Sequence, residues 1–206
     1  AAFCYNTSSR NAKGGRAVDN VLTIAEERLN LFAHMANSAC GLSLWCFGMK
    51  KQLYTCTCPA EKEFRLFLDL GQCLDYAIAH GPESHAPILM SDPIGMLWVA
   101  ECVWHGDDAS YLVILGPVFD AAASLQTLQN CLRGMNLSVS LTATIMEKLE
   151  QVPILPLSTL HQYIKMLHWV LYEETLDVGS IRLQNRSNII PDKEESPSPW
   201  DPDRAR

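Results

Sequence analysis

The stretch from Gly95 to Trp104, GMLWVAECVW, constrains the fold more than any other part of the chain. A strand sends successive side chains to opposite faces. That puts Met96, Trp98, Ala100, Cys102 and Trp104 on one side and Leu97, Val99, Glu101 and Val103 on the other. Both sides are largely apolar, so the strand belongs in a sheet covered on both faces, or covered on one and used as an interface on the other. Leu42 to Phe47 behaves in the same way, with Trp45 and Phe47 opposed to Leu44 and Cys46. Helices are expected against such a sheet, and a hydrophobic content of 48% over 206 residues is ample for one domain with a full core.

The rest of the chain supplies those helices. Residues 1–18 are polar and glycine-bearing and are expected to form a flexible lead-in. From Asp19, a candidate cap, Leu22, Ala25, Leu29, Phe32, Ala36 and Ala39 fall on three- and four-residue steps, the stripe of a helix of about five turns. That stripe has two uses: packing onto the body of its own domain, or pairing with a second copy, for which Leu22, Leu29 and Phe32 are the contact candidates. A hairpin follows, from Leu42–Phe47 through the turn at 48–51 into Gln52–Thr57. Two helical stretches, around Phe64 to Leu68 and Cys73 to Ile78, end at Gly81-Pro82.

Strands return at Pro87 to Met90, with a turn at Ser91-Asp92-Pro93 before the central strand. A polar loop at 105–110 leads into Tyr111–Leu115, where Gly116-Pro117 is expected to break the pattern. Helical periodicity then recurs over 124–132, 141–151 and 158–174, and residues 178–184 are a candidate short strand. This order is the layout of a PAS- or GAF-like sensor domain: an α+β fold with an antiparallel sheet of about five strands flanked by helices, a long N-terminal helix and a C-terminal helical segment. It occupies residues 19–184. Residues 185–206, with four prolines among Asp, Glu and Lys, lack the composition of a core and are expected to be a linker.

Several functions are disfavoured. The formal charge of −7 opposes docking on a phosphate backbone, so this segment alone is not expected to bind DNA. No apolar run approaches the roughly 20 residues that span a bilayer. There is no phosphate-cradling glycine loop, no GxSxG elbow and no Cys–His spacing typical of a protease. The pairs Asp107-Asp108 and Glu173-Glu174 are adjacent and sit where solvation is expected, which suits turns better than acid–base catalysis. No catalytic residue and no cofactor is therefore expected.

Six of the eight cysteines lie in apolar or periodic stretches, which favours reduced thiols and a cytoplasmic setting over a disulfide framework. Cys56 and Cys58 form a CxC whose thiols share a strand face. With Cys73, His80 or His85 they make a weak zinc candidate, and buried thiols are the commoner outcome. His161 and His168 share one face of the last long helix, too far apart for one metal ion, and are either a pH-responsive pair or ordinary core-edge histidines. No metal site is expected.

A mixture of Trp, Ala, Cys and Met on one sheet face suits either a ligand-sized cavity or a plain core. If there is a cavity, Trp45, Phe64, Tyr76, Met90, Trp98 and Cys102 are its candidate lining.

Several stretches resemble the N-terminal sensor regions of AraC-type bacterial transcription regulators: LSLWCF at 42–47, PILMSDPIGMLWVAE at 87–101, LGPVF at 115–119, VPILP at 152–156 and QYIKMLHWVLYEE at 162–174. The most specific piece is the SDxxGxxW arrangement of Ser91, Asp92, Gly95 and Trp98. The resemblance implies a regulatory domain, a homodimer, with an unidentified small-molecule effector and with DNA read only by a separate C-terminal domain. It brings no catalytic residues. Ser91, Asp92, Gly95 and Trp98 are expected either to build a capped turn into the central strand or to touch a ligand.

Overall fold

In this computed structural model, residues 16–105, 108–122, 125–135 and 137–184 are described. A first helix, α1 (Arg16–Cys40), leads into a hairpin of β1 (Leu44–Gly48) and β2 (Leu53–Cys56). Two short helices follow, α2 (Glu61–Leu70) and α3 (Cys73–His80), then β3 (Ile88–Ser91), β4 (Leu97–His105) and β5 (Asp108–Val118). Helices α4 (Leu125–Gly134), α5 (Val139–Leu149) and α6 (Leu157–Tyr172) precede a two-residue strand, β6 (Arg182–Leu183).

The strands form one sheet in the order β2-β1-β5-β4-β3-β6. Every pairing is antiparallel except β3 with β6, which is parallel. The sheet is thus mixed and six-stranded, where five antiparallel strands were expected, and the fold is the α+β, PAS/GAF-like type. β6 joins it through Arg182 N–H to Pro87 O at 2.9 Å and Gln184 N–H to Leu89 O at 2.9 Å.

The alternation along β4 holds residue by residue. Trp98, Ala100 and Cys102 enter one core layer with Trp45, Phe47, Leu112 and Ile114, covered by α2, α3, α4 and α5. Val99 and Val103 enter the other with Leu44, Val113 and Leu115, covered by α1 and α6. The sheet is therefore buried on both faces.

Gly116-Pro117 does not break β5. The Gly116 N–H donates to Ser43 O at 2.9 Å, its carbonyl accepts from the Trp45 indole at 2.8 Å, and pairing continues to Leu97↔Val118. Gly116 sits at φ 131, a conformation open to glycine, and the bond to Pro117 is cis. Helix α1 already runs at Arg16, so Asp19 lies inside it and not at its cap, and the last three residues of the expected lead-in are helical. Residues 1–15 of that lead-in, and the whole proposed linker 185–206, lie outside the described residues.

Candidate functional site

The SDxxGxxW segment folds into a turn held by one buried carboxylate. Asp92, 1% exposed, accepts from Ile94 N–H at 3.1 Å and Met96 N–H at 3.0 Å through Oδ1, and from the Trp98 indole N–H at 3.0 Å through Oδ2. The Gly95 N–H closes the turn on Asp92 O at 3.1 Å, and Gly95 supplies the left-handed φ of 90 that the turn requires. Burial pushes the Asp92 carboxyl up to about 7, against the pull of its N–H donors. Asp92 thus fixes both the entry of β4 and the seating of Trp98.

Around Trp98 the proposed lining is packed. Trp45, Phe64, Met90, Trp98 and Cys102 are all at most 3% exposed and belong to one core layer, with Tyr76 half-buried at its margin. Trp45 and Trp98 meet edge to face at 5.9 Å, and each indole N–H is held by the protein itself, one by Gly116 O and the other by Asp92. Cavities of about 420, 270 and 150 Å³ are present elsewhere, with other residues in their walls.

On the opposite face the lone acid of β4 is buried. Glu101, 1% exposed, shares a hydrogen bond with His168 Nδ1 of α6, while its Oε2 has no partner among the described residues. Burial raises the Glu101 carboxyl, and the His168 contact draws it back. Beside this pair, Tyr172 donates its hydroxyl to Cys102 O and rests against the His168 ring. These contacts dock the C-terminal half of α6 on the sheet. His161 lies two turns earlier on α6 and is half-buried.

The two helices on this face run antiparallel. Arg28 of α1 pairs with Glu173 just past α6, and twelve residues along α1, Cys40 is hydrogen-bonded with Tyr163. The middle of the stripe picked out on α1 is used inside the chain: Leu29, Phe32 and Ala36 are 3%, 4% and 1% exposed against α6 and the sheet, whereas Ala39 is exposed. The Leu22 side chain lies outside the described residues. A second set of apolar residues points outward instead. Leu31 (62% exposed) and Met35 (51%) of α1 face Met166 (42%) and Trp169 (51%) of α6 across an apolar groove of about 420 Å³ rimmed by Arg28 and Lys165.

Among known proteins, the chain matches no family model, no curated protein and no solved structure.

The groove is the feature that sequence reasoning missed. Its residues lie off the main apolar stripes of their helices, and only the recurrence of Leu31 and Met35, four apart, beside Met166 and Trp169, three apart, signals a second face. For the remaining candidates, Cys56 and Cys58 come together at the end of β2, and among the described residues no third His, Cys, Asp or Glu completes a metal site with them. Glu173 caps α6 in a left-handed conformation and pairs with Arg28, so it works as a helix terminus. Asp107 lies outside the described residues, and among those described no helix is long and apolar enough to cross a membrane.

Proposed function

We propose that the chain is the regulatory domain of an AraC-type transcription regulator, and that it works by pairing with a second copy of itself through the α1–α6 face. The observation that carries this reading is the outward apolar groove between two helices already fixed on the sheet. Four large hydrophobic side chains at 42–62% exposure, clustered on one surface, form the kind of patch that marks an association site in a soluble protein.

A second copy is the occupant because the face is self-complementary in kind. In a two-fold dimer the same α1–α6 pair meets itself, apolar centre on apolar centre, with Arg28 and Lys165 at the rim.

The transcriptional half of the proposal rests on the sequence resemblance, whose first three stretches form β1, β3, β4 and β5. In this reading DNA is contacted by a separate C-terminal domain, consistent with a net charge of −7 here. Seven reduced cysteines among the described residues support a cytoplasmic setting.

Sedimentation velocity over a hundred-fold concentration range tests the pairing. A reversible dimer is expected, and a monomer at every concentration overturns it. The second reading is an apolar effector seated in the same groove, whose volume suits a small molecule. A monomer whose melting temperature rises with an apolar metabolite, and whose response is lost on Trp169→Glu, would select that reading.

A further inference from the structure

The CxC motif has no part in the pairing surface. It stands at the end of β2, the edge strand of the sheet, just before α2. Cys56 closes β2 opposite Trp45 and is partly exposed, whereas Cys58, 9% exposed, packs into the same core layer. We infer that Cys56 and Cys58 are a redox-active dithiol, which a hydroperoxide converts to an intramolecular disulfide.

The local geometry gives the two sulfurs different characters. The Cys58 N–H donates to Cys56 Sγ at 3.2 Å, and the two thiols hydrogen-bond with each other. The Cys58 sulfur also accepts from the Ala60 N–H at the start of α2 and is hydrogen-bonded with Ser43. Helix α2 has no side-chain cap from Ala60, so this sulfur occupies the place where a negative charge is favoured.

Donors converging on it bring the Cys58 thiol down to about 7, against burial and the nearby Glu61 carboxylate. Cys56 moves the other way, raised first by its hydrogen bond to Cys58 and then by burial. Elsewhere, burial pushes the Cys102 thiol up to about 11. One thiolate beside one retained thiol is the asymmetry that an attacking and a resolving cysteine need.

The step balances. The Cys58 thiolate attacks the distal oxygen of the hydroperoxide, the O–O bond breaks, and the departing alkoxide or hydroxide takes a proton to leave as alcohol or water. Cys58 is then a sulfenic acid. The Cys56 sulfur attacks Cys58 Sγ, its proton and the hydroxyl leave as water, and the S–S bond forms. Two electrons pass from the dithiol to the peroxide. The ring so closed contains Thr57, whose N–H bonds Leu44 O at 2.9 Å and whose Oγ1 accepts from Leu44 N–H at 2.8 Å. Oxidation therefore acts on the bonds that seat the end of β2 against β1.

The test uses the whole chain, reduced, freed of reductant and treated with stoichiometric hydrogen peroxide. Intact mass and peptide mapping should show loss of two hydrogens and a Cys56–Cys58 link before other thiols react. Cys56→Ser should stop at a sulfenic acid on Cys58 that a dimedone probe captures. Cys58→Ser should lower the rate of Cys56 modification by roughly ten-fold, and the wild-type rate should rise through about pH 7. A first disulfide between other cysteines, or a Cys58 that stays reduced while others oxidise, overturns the inference. Equal reactivity of Cys56 in wild type and Cys58→Ser overturns it as well.

Discussion

Replacing Asp92 with alanine removes the acceptor for three buried donors, the N–H groups of Ile94 and Met96 and the Trp98 indole. Left without partners, such groups cost roughly 1–3 kcal/mol each, which comes to about 5 kcal/mol for the three. The loss depends on pH. The Asp92 carboxyl stands near 7 when folded against a reference value of 3.8, so it binds its proton more tightly in the folded protein. A group raised in this way contributes stability that is full below 3.8 and is lost as pH climbs through about 7. Between pH 5 and pH 8 that loss amounts to roughly 3 kcal/mol in the wild type and is absent from Asp92→Ala.

The variant should therefore be about 5 kcal/mol less stable than wild type at pH 5 and only about 2 kcal/mol less stable at pH 8, as read from urea midpoints at constant m-value. Asp92→Asn keeps an oxygen for the two backbone donors but turns an amide N–H toward the Trp98 N–H. It should cost about 1–3 kcal/mol, with a shallower pH dependence than wild type. A deficit of equal size at both pH values for both variants would refute the reasoning, because it would mean that Asp92 is not a buried, raised carboxyl.

Three further outcomes follow from the same physics. Glu101→Gln removes a carboxyl raised by burial, so the stability of wild type relative to the variant should fall as pH rises above the ordinary carboxylate range, in a pH series of denaturation midpoints. Gly116→Ala meets both a φ of 131 and contacts of 2.9 Å to Leu97 O and 3.2 Å to Trp98; a loss of about 2 kcal/mol or more is expected in thermal unfolding. Ser138→Ala deletes the N-cap of α5, whose Oγ accepts from Leu141 N–H at 3.3 Å, and should cost about 1 kcal/mol with no change in association state.

The sheet and its two faces were legible in the sequence because alternation on β4 and β1 is a period-two signal in strongly apolar stretches. The limits were physical. β6 is two residues long and carries no period of its own; its place beside β3 is set by main-chain bonds such as Arg182 N–H to Pro87 O. Gly116-Pro117 carries the composition of a break, yet its backbone groups are taken up by Ser43 and Trp45 from another strand.

Glu101 was visible as the one acid in an apolar strand and His168 as one of two histidines on a helix face, and the pairing of Glu101 with His168 across 67 residues is a tertiary fact. Likewise the seam on α1 did not reveal its partner. Only the structure shows Leu29 and Phe32 facing inward, and Leu31 and Met35 left on the surface.

In the proposed assembly the α1–α6 face joins two copies of this chain. The most direct measurement is sedimentation of Met35→Glu/Trp169→Glu beside wild type, with circular dichroism to show that both are folded. Both residues are half exposed, so the substitutions disturb the surface and leave the core layers intact. Wild type should be a dimer and the variant a folded monomer, with a dissociation constant at least about a hundred-fold weaker, as expected for charges placed at an apolar interface centre. A variant that dimerises as tightly as wild type would contradict that assembly.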